Sequence, residues 1–381
     1  MHIKKLLIML VTSLLVSTLI PIIHTKAASV SAVNAVLMEQ VSGRVLFEKE
    51  AHQKQRIASI TKIMTAILAI ESGKLNDMVT VSGNAFGTEG SSLFLKQGQK
   101  MKLEDLVYGL MLRSGNDAAV AIAEHVGGSL DGFVLLMNQK AEEIGMENTS
   151  FTNPHGLDNT KNHYSTAYDM ALLTRYAMNN PKFAEISGTK NHRAPNLEED
   201  WNYSWTNKNK MLKLYKYSTG GKTGFTKLAR RTLVSTAEKD GLSLIAVTLN
   251  DSDDWNDHMN LFDQGFKKYQ LTEILPSGQM KKIKNRFYKN KIAIHSAFLY
   301  PLTKKEQKRV SIEIQLFKPK KSWKDENHIP EKVGKAYIML GSKVIGQRNI
   351  FYSEKKHAEQ TSFIQHWSNI LFMMLDLKHN G

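Results

Sequence analysis

Apolar side chains recur at three- and four-residue steps in some stretches of this chain and at two-residue steps in others, which separates predicted helices from predicted strands. Ile60, Ile63, Met64, Ile67 and Leu68 form one stripe within residues 57–70, predicting a helix opened by Ser59. Leu103, Leu106, Val107, Leu110 and Met111 predict a second helix, and residues 118–126 a third, with Ser114, Gly115 and Asn116 in the tight turn between them. Residues 34–38 and 43–48 read as an opening strand pair, and residues 232–237 and 243–250 as closing strands. An antiparallel sheet made from both ends of the segment, with helices on its faces, is consistent with this order. After Pro276 the period changes to two, through Ile312, Ile314 and Leu316, then residues 337–340, a Gly341-Ser342 turn and residues 343–346. The pattern predicts an α+β chain whose helical part runs over residues 28–275 and is followed by a small all-β domain over 276–357.

The two ends read differently. Lys4 and Lys5 precede an apolar run from Leu6, and Thr25-Lys26-Ala27 offers a small-x-small cleavage site, so residues 1–27 are expected to be a signal peptide. Near the other end Phe363, Ile364, Trp367, Ile370, Leu371, Met374 and Leu375 recur at helical spacing. That stripe is shorter than the roughly 20 apolar residues a bilayer span needs. Residues 358–381 are therefore expected to lie on a membrane surface as an amphipathic helix, with Lys355, Lys356 and Lys378 nearby; packing on the β domain is the alternative.

Candidate chemistry concentrates in three short motifs: Ser59-Ile60-Thr61-Lys62, Ser114-Gly115-Asn116 and Lys222-Thr223-Gly224. Each alone is common, but their order and domain-scale spacing together form a strong signal. Three residues apart on a helix, Ser59 and Lys62 lie side by side. A serine hydroxyl is a weak nucleophile that needs a base, and a lysine can serve only when unprotonated. Burial beside a second cation, Lys222, would lower the pKa of Lys62. First-turn N–H groups favour the negative charge that develops on an attacked carbonyl. Lys222 to Gly224 follow the breaker pair Gly220-Gly221 and read as the start of a strand, an edge along which an extended peptide could pair, with Gly224 leaving room for its approach.

Residues 56–65, 112–119, 153–158 and 220–224 carry a resemblance that covers roughly residues 30–355: the chain is similar to the low-molecular-weight penicillin-binding proteins, serine-type D-alanyl-D-alanine carboxypeptidases, and most resembles the sporulation-specific member of endospore-forming bacteria. The resemblance implies a serine β-lactamase/D,D-peptidase-like catalytic domain. It implies removal of the terminal D-alanine from peptidoglycan stem peptides through an acyl-enzyme, covalent inhibition by β-lactams, and no cofactor. It implies Ser59 as nucleophile, Lys62 as general base, Ser114 and Lys222 as proton relay, Asn116 as ligand for the substrate's amide and Thr223 for its carboxylate. The oxyanion hole would be the N–H groups of Ser59 and Phe225. One departure stands out, because some relatives place a carboxylate-binding arginine well downstream, whereas this chain has no arginine between Arg231 and Arg286. Lys208 matches a basic position of relatives, and Arg230 or Arg231 could substitute. Such a chain would be exported to the outer face of the cytoplasmic membrane or the wall, in a spore former the outer forespore membrane.

Other readings stay open at this stage. A serine β-lactamase shares two of the motifs but needs a deacylating carboxylate, for which Glu198 with Asn202 has a tempting spacing, too close to Lys222. A zinc peptidase would draw on His155, Asp158 and His163, although no His-Glu-x-x-His helix exists. A non-catalytic wall-binding protein is the third. With no cysteine among 381 residues, thiol catalysis and disulfides are excluded. The formal charge of +15 on an exported chain points to anionic wall polymers and lipid headgroups and not to nucleic acid.

Overall fold

The computed structural model describes residues 30–352, apart from 159 and 282, so the expected signal peptide and C-terminal surface helix lie outside the described residues. The chain opens with β1 (Asn34–Glu39) and β2 (Val45–Lys49), then passes through a 3-10 turn, Ala58–Thr61, into α1 (Lys62–Glu71). A small ladder of β3 (Met78–Thr80) and β4 (Lys100–Lys102) precedes α2 (Leu103–Arg113), α3 (Asn116–Gly127) and α4 (Leu130–Glu143). After α5 (Ala167–Met178) and α6 (Pro181–Gly188) comes the hairpin of β5 (Asn191–Pro195) and β6 (Asn202–Thr206), then the short α7 (Met211–Leu214). The segment closes with β7 (Ser218–Thr226), β8 (Arg230–Lys239), β9 (Leu242–Leu249) and α8 (Asp254–Lys268).

Both chain ends of this segment build one antiparallel sheet in the order β2-β1-β9-β8-β7. Side chains alternate across it. Val36, Met38, Val234, Ile245 and Val247 point into the core shared with α1 to α5, while Gly265 of α8 packs against Leu37 and Leu244 on the other face. A strand buried on both faces reads as continuous apolar sequence, and every residue of β1 is buried. β7 forms the outer edge, leaving one side of its backbone open.

The C-terminal part begins with β10 (Gln270–Leu275), followed by β11 (Gly278–Gln279), β12 (Ile292–Ile294) and β13 (Phe298–Leu302). A capped turn, α9 (Lys304–Gln307), leads to β14 (Val310–Leu316), β15 (Lys332–Leu340) and β16 (Lys343–Tyr352). Its sheet runs β11-β12-β16-β15-β14 over a core that includes Tyr288, Trp323, Ala336 and Ile338. β10, before Pro276, pairs with β13 beyond it. Arg44 bonds the Pro301 carbonyl and Glu306. Among the described residues no single helix is long and apolar enough to cross a membrane.

Three local expectations change. Ser59 stands in the 3-10 turn and not on the α-helix, which starts at Lys62. Asn116 is the first residue of α3, so only Ser114 and Gly115 make the turn. Lys222 lies in the middle of β7, with Gly220 and Gly221 inside the strand. Those glycines are there for proximity: a Cβ on Gly220 would come 2.4 Å from Ser187 Oγ, and one on Gly221 2.2 Å from the Val234 carbonyl.

Candidate active site

The turn that carries Ser59 is held in an uncommon backbone state. Ala58 has φ of 49°, a left-handed conformation that an alanine adopts only when its surroundings over-determine it. What holds it is the loop after α4. Gly156, with φ of 86°, lies so close that a Cβ there would sit 1.9 Å from the Ala58 carbonyl oxygen. Asn153 Oδ1 accepts from the backbone N–H of Gly156 at 2.6 Å, and Thr65 donates to the Pro154 carbonyl at 2.6 Å. Thr61 Oγ1 donates to the Ala58 carbonyl at 2.8 Å and lies 2.8 Å from His163 Nε2. In a 3-10 turn residues i and i+3 eclipse, so Ser59 stacks over Lys62 more closely than α-helical spacing would bring it.

Lys62 Nζ lies 2.9 Å from Ser59 Oγ, 2.7 Å from Asn116 Oδ1 and 2.7 Å from the His155 carbonyl oxygen. The Asn116 amide is oriented by its Nδ2, which donates to the Glu89 carbonyl at 2.5 Å. Both carbonyl-type oxygens can only accept, whereas the serine hydroxyl can also donate. A neutral amine has two N–H bonds and one lone pair. The two N–H bonds go to Asn116 and His155, leaving the lone pair aimed at the Ser59 proton. Burial, then the Lys222 charge, then the Lys208 charge hold Lys62 well below the usual lysine range, so the site favours the neutral form more than water does.

Ser114 caps α2 in the left-handed conformation, φ 66°, which turns its hydroxyl toward β7. Lys222 Nζ donates to Ser114 Oγ at 3.0 Å and to the Thr223 carbonyl at 2.8 Å. Burial and the Lys208 charge push Lys222 down to about 7. Both lysines are buried, while Ser59, Thr223 and Gly224 are partly open and Phe225 is exposed. β7 passes against the Ser59 turn: a Cβ on Gly224 would come 2.9 Å from Ser59 N and 2.4 Å from Thr232 Oγ1. Gly224 therefore allows the strand to meet the first-turn N–H of Ser59, a group with no intrahelical acceptor.

The basic candidates separate. Lys208 lies near the buried lysines, whose pKa values its charge lowers, with its Nζ 3.4 Å from Ser91 Oγ. Arg231 is paired with Asp254 at 2.7 Å and lies over the Trp255 ring. Arg230 is exposed at the β7–β8 hairpin, opposite Thr226. Glu198 is exposed on the β5–β6 turn, where its charge reaches Lys96, and Asn202 opens β6. Of the zinc candidates, Asp158 bonds Arg56, His163 bonds Thr61, and His155 is buried with its Nδ1 accepting from Leu157 N.

Sequence reasoning passed over several supports. Asp117 accepts from the backbone N–H groups of Leu93 and Leu95 and from Ser92, fixing the loop whose Ser91 carbonyl receives the Asn116 N–H and whose Ser91 hydroxyl faces Lys208. Its place right after Asn116 was the only signal. The His155 carbonyl and the Gly156 contact left no trace beyond the Pro154-His155-Gly156 run itself.

Comparison with known proteins agrees with this geometry. The family model described as D-alanyl-D-alanine carboxypeptidase matches residues 22–253, more than half of the chain. The model for the penicillin-binding protein 5 C-terminal domain matches residues 269–358. D-alanyl-D-alanine carboxypeptidase DacF of Bacillus subtilis is 37% identical over 236 residues, 60% of this chain and 60% of that protein. DacC of Escherichia coli is 37% identical over 270 residues, 66% of this chain and 65% of its own length. The chain thus spans just under two thirds of these two relatives. The crystal structure of penicillin-binding protein 5 from Haemophilus influenzae superposes with a TM-score of 0.71 and 28% identity, covering 86% of this chain and 98% of that one. By its family match and by the fold in which its three motifs meet, the chain belongs to the D-alanyl-D-alanine carboxypeptidase family of serine peptidases.

Proposed function

We propose that this protein is a serine D-alanyl-D-alanine carboxypeptidase that removes the terminal D-alanine from peptidoglycan stem peptides and so limits cross-linking. The observation that carries the reading is the set of three partners around Lys62 Nζ, which leaves a neutral Lys62 with its lone pair on the Ser59 hydroxyl. Ser59 Oγ attacks the carbonyl carbon of the penultimate D-alanine while its proton passes to Lys62. The N–H groups of Ser59 and Phe225 receive the oxyanion. Ser114 and Lys222 relay that proton from Lys62 to the departing amine of the terminal D-alanine, which leaves an ester on Ser59 and returns Lys62 to its neutral form. Water, deprotonated by Lys62, then hydrolyses the ester. Asn116 binds the substrate amide, Thr223 with Lys208 binds its carboxylate, and the open edge of β7 at Gly224 holds the peptide backbone. Arg230, at the hairpin beyond Thr226, is the outlying basic candidate for that carboxylate.

The finer assignments belong to the same proposal. Residues 1–27 direct export, residues 28–275 form the catalytic domain, 276–357 the β domain, and 358–381 hold the enzyme on the outer membrane face. Action in the spore cortex at the forespore outer membrane rests on the resemblance named above. Mass spectrometry after brief exposure to penicillin tests the core of the proposal. Wild type should gain one covalent adduct on the Ser59 peptide and release D-alanine from a pentapeptide. Ser59→Ala should do neither while keeping its melting curve, and full labelling of that variant would remove Ser59 as nucleophile.

A further inference from the structure

Charge is distributed unevenly along this chain. Between residues 31 and 275 there are 27 Lys and Arg against 28 Asp and Glu; between 276 and 352 there are 18 against 5. Nearly all of the net charge therefore sits on the β-rich part. Within it, the segment between β11 and β12 and the connection between β14 and β15 are packed together at one end of the sheet. Phe287 meets Trp323 with ring centroids 6.0 Å apart, and Tyr288 donates to the Phe317 carbonyl at 2.9 Å. The two segments bring Lys281, Lys284, Arg286 and Lys289 together with Lys318, Lys320, Lys321 and Lys324, all exposed. The acidic groups at this end are Asp325 and Glu326, which pair with His328 and Lys291, and Glu331. Positive charge dominates strongly.

Tyr352, the last described residue, belongs to the same end: it pairs with Ile292, and its ring lies 6.3 Å from that of Phe287. The 29 residues that follow start among these cations, and they carry the apolar stripe from Phe363 to Leu375. A lipid surface offers phosphates to the one and an apolar layer to the other, whereas a soluble wall polymer offers phosphate alone. We propose that this end of the β-rich part is a docking surface for an anionic lipid bilayer, seating the domain upright beside the C-terminal segment. The choice of bilayer over polymer rests on the membrane reading of that segment under Proposed function. Lys304, Lys305 and Lys308 lie at the far end of β14, seven residues or about 20 Å away. At 0.1 M salt the Debye length is about 10 Å, so these should not feel the surface.

The test is sedimentation of the full-length protein with vesicles of phosphatidylcholine alone and with phosphatidylglycerol added. A change of Lys318, Lys320, Lys321 and Lys324 to Gln keeps the C-terminal segment and should weaken binding to the anionic vesicles by at least about fiftyfold if only some of the four reach the surface, and by about six-hundredfold if all do, at about fivefold per cation. Binding to neutral vesicles should stay within twofold, as should anionic binding after Lys304, Lys305 and Lys308 are changed to Gln. Wild-type binding should also fall between 0.05 and about 0.5 M salt on anionic vesicles only. Retention of anionic binding by the fourfold variant, or equal loss in the control set, overturns the proposal. It is likewise overturned if a soluble polyglycerol phosphate binds wild type and not the fourfold variant while vesicle binding is unchanged. Penicillin acylation, read on the same samples, reports the fold and judges the active-site reading separately.

Discussion

At the residue scale the site turns on which lysine is neutral. Lys208 lies outside the Ser59–Lys62 pair, yet its positive charge lowers both Lys62 and Lys222. Removing that charge stabilises the protonated forms, so both pKa values rise and less Lys62 is free to act as base at a given pH. In Lys208→Gln the acid limb of the acylation rate should therefore move to higher pH, with the rates converging in alkali. Stopped-flow acylation at saturating penicillin measures it, and a limb that stays put or moves to lower pH would contradict the electrostatic role. The limb belongs to the coupled lysines together. Most of these residues were legible because each type brings its own chemistry: a hydroxyl, an amine, an amide. The His155 carbonyl that fixes Lys62 was not, since every residue carries a carbonyl and only the fold decides which one arrives.

At the scale of elements the decisive contact is between two loops. The Gly156 backbone meets the Ala58 carbonyl and keeps Ala58 at positive φ, so the loop after α4 shapes the turn that presents Ser59. Gly156→Ala adds a collision with backbone to the cost of a left-handed alanine. Gly73→Ala, at φ 73° with open space around it, adds only the second cost, about 1–2 kcal/mol. The first variant should lose about 2 kcal/mol more than the second in urea unfolding and acylate at least tenfold more slowly. Equal losses, with acylation intact in both, would show that the turn does not depend on the loop. Sequence periodicity found α1 but drew its start at Ser59, because 3-10 and α turns share the same apolar stripe over four residues. It also read Gly220-Gly221 as breakers, since a glycine required by close packing looks the same in sequence as one required by a turn.

At the scale of the whole molecule the sheet assembled from both chain ends was legible in the strand pattern, whereas the β10–β13 ladder across Pro276 was not, because pairing between distant segments leaves no local periodicity. Sequence also hides where neutral histidines are buried, and that sets the acid stability of the fold. His155 and His163 line the loop behind Ser59, pushed down by burial to about 3 and about 4. His258, held between Ser235 and Thr248 under α8, is pushed down to about 3 for the same reason. In the unfolded chain each titrates near 6.5. Between that value and the folded one the unfolded chain holds the extra proton, so their contribution is complete above about pH 6.5 and is lost as pH falls toward 4. Each histidine gives a slope of about 1.4 kcal/mol per pH unit, and the three together about 4. Asp169, Asp254 and Asp257, raised chiefly by burial, act in the opposite direction: the folded state takes up their protons first as pH falls, which offsets part of that loss. Urea unfolding should therefore show less stability at pH 5 than at pH 7, by up to about 5 kcal/mol before the aspartates offset part of it. A difference under 1 kcal/mol would mean that these rings take up protons in the folded state, and that the loop behind Ser59 is not packed as a neutral wall.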